Sequence, residues 1–314
     1  MNKERESNKL NFLIPHFLFF ASNFAREIST MKKFFMRMSI VLGAILLLWL
    51  VLAQSCMTMR KPDDEAKKKF TQDGVELTTA TINVDGHHLH YAKTGSDTLP
   101  TLFFVHGTPG SWDAFEHYLS DKDLLQKFRM VSIDRPGFGY SDFGSPFHLA
   151  KQSEIISPLF NVLNNHKPMF IAGHSLGGPM AVKLAADNPT IFSAVVILSG
   201  SIDPAEENPE KWRPILYKTP LNYFVPGALR PSNEELWYLK KDLVDLKQDF
   251  PKITCPVYFV HGAIDTWVPP GNVEYGKKML VNASKVEETL IPGANHFIPW
   301  TKFNEIKAVL LKLY

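Results

Sequence analysis

The stretch of sequence that most restricts the fold of this chain is a turn rich in glycine, Gly173-His174-Ser175-Leu176-Gly177. An apolar run, residues 169–172, leads into the turn, and the residues that follow it have helical spacing. A G-x-S-x-G pattern between a strand and a helix is typical of a nucleophile elbow, in which the serine lies on a strained turn. A Cβ at Gly173 or Gly177 would collide with the neighbouring strand or helix. We therefore predict that Ser175 is exposed above the sheet and that the amide of Leu176 points to a developing oxyanion.

Eight stretches of the sequence have the pattern of β-strands, and several are short apolar runs of the kind found in a sheet covered on both faces. They cover residues 75–84, 88–93, 101–106, 128–134, 169–172, 194–199, 254–261 and 286–291. Asp85-Gly86 predicts a hairpin turn between the first two strands. Residues 150–165, 178–187 and 303–313 have helical spacing. Strands that alternate with helices in this way predict an α/β domain.

Two loops near the end of the chain carry an acid and a base. Asp265 follows the seventh predicted strand, and His296 follows the eighth. Open α/β sheets place their sites at the carboxyl ends of strands, so both side chains are expected near Ser175. Both loops resemble segments that carry an acid and a base in the family described in the next paragraph, which implies that His296 would remove the serine proton and return it to the leaving group, while Asp265 would hold the imidazole in the right tautomer. Asp203, near the end of the sixth strand, is the alternative acid.

Five motifs, taken in order, resemble those of the α/β-hydrolase superfamily. They are the elbow, H-G-T-P-G at 106–110, D-R-P-G-F-G-Y-S at 134–141, G-A-I-D-T-W-V-P at 262–269 and G-A-N-H-F at 293–297. The resemblance spans residues 71–314 and implies an α/β-hydrolase fold, with a mostly parallel eight-stranded sheet, helices on both faces and a small helical cap after strand six. It also implies a catalytic triad in the order Ser175, Asp265, His296, with the amides of Thr108 and Leu176 as the oxyanion hole.

Three further polar residues of these motifs are expected to be structural. Asp134 and Arg135 would hold loops together beneath the site, and His106 would form hydrogen bonds with its own loop. Residues 200–251 interrupt the alternation of strands and helices and contain seven prolines together with several aromatic residues. The resemblance places the cap here, and its aromatic residues predict a largely apolar pocket.

The N-terminal part of the chain is expected to be an anchor. Residues 1–30 are interpreted as an upstream mis-called start or a disordered leader, and residues 31–56 as a signal or membrane-anchor segment. Its apolar core, residues 39–53, is short for a membrane-spanning helix. The sequence Ala53-Gln54-Ser55-Cys56 resembles the lipidation box of bacterial lipoproteins, which implies acylation of Cys56 on the exported side of a bacterial envelope. Residues 57–70 are expected to be a charged, solvated spacer.

Composition limits the partners of the chain. The formal net charge is +2, and no basic block alternates with aromatic residues, so nucleic-acid binding is not expected. The two cysteines, Cys56 and Cys255, do not predict a disulfide. No cofactor is predicted, and no metal-binding motif occurs. The expected partners are a small, apolar ester substrate and a membrane, while the oligomeric state stays open.

We therefore predict a serine hydrolase that cleaves a carboxylic ester, or an amide, through an acyl-enzyme. Hydrolysis of C–C bonds, aminopeptidase activity and cofactor-free perhydrolase chemistry are the alternatives on the same fold. A non-catalytic binding protein is the alternative of another class. The serine at position 175 argues against haloalkane dehalogenases and epoxide hydrolases, which resemble this chain elsewhere but have aspartate there.

Overall fold

The computed structural model describes the backbone of residues 2–55 and 57–314, and the side chains of the first helix from Arg26 onward together with a few before it. The chain divides after Gln54 into an N-terminal unit and a larger unit, each of which is described by itself.

The N-terminal unit consists of one long helix, α1, which runs from Asn2 to Ser55. Residues 2–30 form the first part of this helix, and the interpretation of residues 1–30 as a mis-called start or a leader stays a prediction. Within the described residues, Arg26–Ser55 is a candidate membrane span of 30 residues, and its most apolar stretch of 18 residues has a mean hydropathy of 2.3. The apolar core, residues 39–53, is too short to span a membrane by itself. It is part of a helix that is long enough to cross a bilayer. Cys56, the predicted acylation site, lies outside the described residues.

The larger unit is built on one sheet of eight strands. The strands are β1 Thr78–Val84, β2 His87–Thr94, β3 Thr101–Val105, β4 Arg129–Ile133, β5 Met169–His174, β6 Phe192–Leu198, β7 Val257–Gly262 and β8 Val286–Ile291. Their order across the sheet is β1-β2-β4-β3-β5-β6-β7-β8. The strand β2 pairs antiparallel with β1 and β4, and all other pairs are parallel. The predicted eight-stranded, mostly parallel sheet is confirmed.

Helices cover both faces of this sheet. They are α2 Asp63–Gln72, α3 Glu116–Leu119, α4 Lys122–Lys127, α5 Leu149–Val162, α6 Gly177–Asp187, α7 Arg213–Tyr217, α8 Leu229–Leu246, α9 Gly271–Met279, α10 Ile298–Thr301 and α11 Phe303–Leu310. Successive side chains of a strand point to opposite faces. In β3, Phe103 belongs to the core with α5, α6 and α9, while Leu102 and Phe104 belong to the core with α2 and α11. Both faces are therefore buried, which explains the uninterrupted apolar run of this strand.

The expected helical cap follows β6. It contains α7, a 3₁₀ turn at Pro220–Phe224 and α8. Glu235 of α8 forms a buried ion pair with Arg135, which lies in the loop after β4. The cap is therefore joined to the loops at the carboxyl ends of the strands.

The stretch expected to be a solvated spacer is instead a folded part of the larger unit. Residues 63–70 of this stretch belong to α2, and Ala66 and Phe70 of this helix are almost completely buried. These two residues are four positions apart and thus share one face of the helix. The ring of Phe70 lies 6.4 Å from that of Trp112. Most of the other residues of this stretch are charged. Its composition is therefore that of a solvated segment, although two of its residues are buried.

Truncation of Phe70 tests whether this packing contributes to stability. We expect Phe70→Ala to lower the free energy of unfolding by about 3–5 kcal/mol, since it removes a buried aromatic ring and leaves a cavity. Lys68→Ala, on the exposed face of the same helix, should change it by less than about 0.5 kcal/mol. Urea unfolding of the full chain gives both values, and equal effects of the two variants would contradict the docking of α2.

Candidate active site

The turn between β5 and α6 has the backbone geometry predicted for a nucleophile elbow. Ser175 has a φ of 55°, in the left-handed region that residues with a side chain rarely adopt. A Cβ at Gly173 would lie 1.9 Å from the carbonyl oxygen of Gly177, and a Cβ at Gly177 would lie 2.2 Å from that of Val105. Only glycine allows these approaches, so the predicted crowding of the elbow is confirmed.

The structure brings the three predicted triad residues together in one chain of hydrogen bonds. His296 Nε2 lies 3.0 Å from Ser175 Oγ, and His296 Nδ1 lies 2.8 Å from Asp265 Oδ2. Asp265 follows β7 and His296 follows β8, so neighbouring parallel strands deliver both side chains to the same edge as the elbow. An ionised carboxylate only accepts hydrogen bonds, so Nδ1 of the imidazole donates to Asp265. In the neutral ring, Nε2 then accepts from the hydroxyl of Ser175.

The surroundings of Asp265 favour its charged form. Burial opposes its ionisation, but the hydrogen bonds from His296 and from the amide of Val268 outweigh that effect and lower the pKa of Asp265. The amides of Trp267 and Val268 each donate to Asp265 Oδ1 at 2.9 Å. One oxygen is therefore fixed by the backbone of its own loop, and the other is free for His296.

Asp203, the alternative acid, and two further histidines, His261 and His166, lie outside this chain of hydrogen bonds. Asp203 Oδ1 accepts from the amide of Ala205 at 2.8 Å. His261 Nε2 lies 2.9 Å from the carbonyl oxygen of Val268 and thus supports the loop that carries Asp265. His166 is exposed in the loop before β5.

His174 contributes to the site in a way that the sequence analysis missed. Its Nε2 lies 3.0 Å from the carbonyl oxygen of His296 and donates to it. Burial lowers the pKa of His174 to about 3, so its ring is neutral at ordinary pH. The position beside the serine in the elbow was the available signal, because it places the ring at the carboxyl end of β5.

The loop after β3 is fixed by the histidine expected to bond there. His106 Nδ1 lies 2.6 Å from the carbonyl oxygen of Gly107, and His106 Nε2 accepts from the amide of Arg135 at 2.9 Å. Burial lowers the pKa of His106 well below its usual value. Thr108, in this loop, and Leu176, after the elbow, both line the cavity that contains Ser175.

Asp134 and Arg135 lie beneath the site, as expected of structural residues. Asp134 accepts hydrogen bonds from the amides of Trp112 and Tyr140 at 2.7 and 2.9 Å. Arg135 donates to the carbonyl oxygens of His106 and Gly107, both at 2.9 Å. Together these two residues tie the loop after β3 to the loop after β4.

A cavity of about 1020 Å³ opens above Ser175. Its volume is at the upper end of the range for small-molecule sites. Much of its lining is apolar, namely Met59, Ala114, Leu176, Leu236, Leu239, Trp267, Val268, Phe297 and Trp300. Polar side chains form the remainder, among them Glu207 and the ion pair of Glu210 with Arg213. Burial raises the pKa of Glu207, which accepts a hydrogen bond from Ser201.

Within the described residues, no group of three or more His, Cys, Asp and Glu side chains is arranged to hold a metal ion.

Comparisons with known proteins point to one superfamily. Residues 100–224 match the α/β hydrolase fold family. A monoglyceride lipase of Mus musculus is 26% identical over 184 residues, which are 55% of this chain and 59% of that protein. Epoxide hydrolase 1 of Caenorhabditis elegans is 30% identical over 112 residues, which are 34% of this chain and 27% of that protein. The matches thus cover between about a quarter and three fifths of these relatives.

Solved structures share the fold at low sequence identity. A bacterial membrane phospholipase A has a TM-score of 0.57 and 19% identity, over 90% of this chain and 99% of that one. The epoxide hydrolase CorEH has a TM-score of 0.58 and 20% identity, over 76% of this chain and 98% of that one. With the eight-stranded sheet, these findings show the α/β-hydrolase fold and support the place of the chain in the α/β-hydrolase superfamily.

Proposed function

We propose that this protein is a serine hydrolase that cleaves carboxylic esters through a covalent acyl-enzyme on Ser175. The observation that carries the proposal is the continuous hydrogen-bonded series from Ser175 through His296 to Asp265. A serine hydroxyl is a weak nucleophile at neutral pH and becomes effective when a base stands within hydrogen-bonding distance. The distance of 3.0 Å between Oγ and Nε2 meets that requirement.

In the proposed reaction, Ser175 Oγ attacks the carbonyl carbon of the ester while its proton passes to His296 Nε2. The carbonyl oxygen becomes an oxyanion, and the backbone amides of Thr108 and Leu176 stabilise it. Asp265 stabilises the imidazolium that forms. The tetrahedral intermediate collapses, the alcohol leaves with the proton from His296, and the acyl group stays on Ser175. A water molecule then repeats the sequence and releases the acid.

The lining of the cavity supports an ester with a long apolar chain. Apolar and aromatic side chains extend the site well beyond Ser175, and a chain of methylene groups gains free energy when it leaves water for such a surface. The monoglyceride lipase and the membrane phospholipase A similar to this chain are named for lipid substrates. The apolar span Arg26–Ser55 supports attachment to a membrane, with acylation of Cys56 on the exported side as the proposed form.

The epoxide hydrolases among the relatives supply a second candidate reaction, which the chemistry of Ser175 disfavours. Attack of a serine oxygen on an epoxide carbon would give an ether, and an ether has no carbonyl group for water to attack. Turnover through a covalent intermediate would stop at that stage. Attack on an ester gives an acyl group on Ser175, which water can remove.

Replacement of the nucleophile and base tests the proposal. We expect Ser175→Ala and His296→Ala each to lower ester turnover by about 10³-fold or more, because each removes one member of a group that acts as a unit. His166→Ala, at an exposed histidine, is the control and should behave like the unchanged protein. A fluorophosphonate probe should label the unchanged protein and leave Ser175→Ala unlabelled. Equal labelling of both, or none of either, would overturn the serine-hydrolase proposal.

Two isosteric substitutions identify the acid. Asp265→Asn should lower kcat by roughly 10³- to 10⁴-fold, because a neutral amide neither fixes the tautomer of His296 nor stabilises its positive form. Asp203→Asn should keep kcat within about twofold, since the amide oxygen can still accept from Ala205. Steady-state hydrolysis of p-nitrophenyl esters measures both. The opposite ranking of the two variants would assign the acid to Asp203.

A further inference from the structure

Residues 57–61 lie near the start of the larger unit, and one of them, Met59, forms part of the wall of the candidate active site. In the sequence this segment, here called the entry segment, comes two residues after the end of α1. The side chain of Met59 lines the same cavity as Ser175 and His296. Met59 keeps 45% of its surface exposed, so it lies at the rim of the cavity.

Contacts with three different parts of the larger unit hold the entry segment in place. The carbonyl oxygen of Met57 accepts from the amide of Ala228, just before α8 of the cap, at 2.9 Å. Arg60 Nε donates to the carbonyl oxygen of Gly139 at 2.6 Å. Its guanidinium group lies 4.4 Å from the centroid of the Phe143 ring, within the range of a cation–π contact. The path of the segment is therefore set by contacts before and after Met59.

The same contacts keep the backbone in an unfavourable conformation. Met57 has a φ of 57° and Met59 a φ of 53°, although both carry a Cβ. Such conformations persist where the surrounding structure fixes them, and they occur often at functional sites. Lys61 Nζ completes the attachment with an ion pair to Glu116 at 2.5 Å. Strain at both methionines is thus retained at the point where the chain passes the mouth of the cavity.

Methionine suits contact with an alkyl chain, because it is unbranched, flexible and polarisable. The apolar side chains that line the cavity with it are Leu236, Leu239, Trp267, Phe297 and Trp300. We propose that Met59 is a specificity-determining residue that forms the outer wall of the subsite for the acyl chain, so that the entry segment selects long-chain esters. This inference rests on the proposed ester hydrolysis at Ser175.

Substitutions of the two methionines of the entry segment test the proposal. They are matched, because both residues have positive φ and are exposed, whereas Met57 does not line the cavity. We would measure kcat/KM of the full chain in detergent for p-nitrophenyl butanoate and dodecanoate. Met59→Trp should lower the value for dodecanoate by about tenfold or more and keep that for butanoate within about twofold. Met59→Ala should lower the dodecanoate value by about three- to tenfold, and Met57→Ala should change neither value.

A change of equal size for both esters, or equal effects of Met57→Ala and Met59→Ala, would overturn the role of Met59. Binding of 1-O-dodecylglycerol, which has no ester bond, separates this inference from the proposed reaction. Met59→Trp should weaken that binding by about tenfold, and Ser175→Ala should leave it within about twofold. If the unchanged protein binds the ether in a Met59-dependent way but hydrolyses no ester, the proposed reaction alone is overturned, while binding that is indifferent to Met59→Trp would overturn the subsite.

Discussion

The carboxyl end of the sheet depends on one buried cation, the guanidinium group of Arg135. A charge without contact with water needs a partner of opposite sign, because its desolvation is otherwise uncompensated. Glu235 supplies that charge from α8, and Gln152 of α5 bonds to both side chains. The remaining N–H groups of Arg135 hold two carbonyl oxygens of the loop that carries Thr108. The cap and the proposed oxyanion loop are thus fixed by the same side chain, and a loss of Glu235 would disturb both.

Features that depend on local sequence could be predicted well. The two glycines around Ser175 predict that backbone atoms pass close to these positions. In the structure, backbone carbonyl oxygens do lie too close to Gly173 and Gly177 to allow a Cβ. The eight strands were predicted to within a few residues at most ends, because apolar runs bounded by turn residues carry that information. The meeting of Asp265 and His296 followed from a single rule, that parallel strands direct their following loops to one edge.

Features that depend on contacts between distant residues could not be predicted. Glu235 lies 100 residues after Arg135, within a cap whose prolines interrupt any regular pattern. The docking of α2 depends on Ala66 and Phe70, and two apolar residues among many charged ones give a weak signal. The place of Met59 at the rim of the cavity is likewise set by partners far along the chain. In each case the sequence shows the residue type, but it does not show which distant residue the side chain contacts in the fold.

Burial keeps some of the side chains around Ser175 neutral, and this determines the electrostatic environment of the serine. Burial lowers the pKa of His174 to about 3, so its ring carries no charge at neutral pH, and burial also lowers the pKa of His106 and of His261. The ring of His174 lies only 4.9 Å from that of His296. A positive charge at this distance would repel the imidazolium that forms on His296 in the proposed reaction, when it takes the proton of Ser175. Because His174 stays neutral, the charge formed on His296 faces the carboxylate of Asp265 without an opposing cation at its other side, and the proton transfer is favoured in the proposed direction.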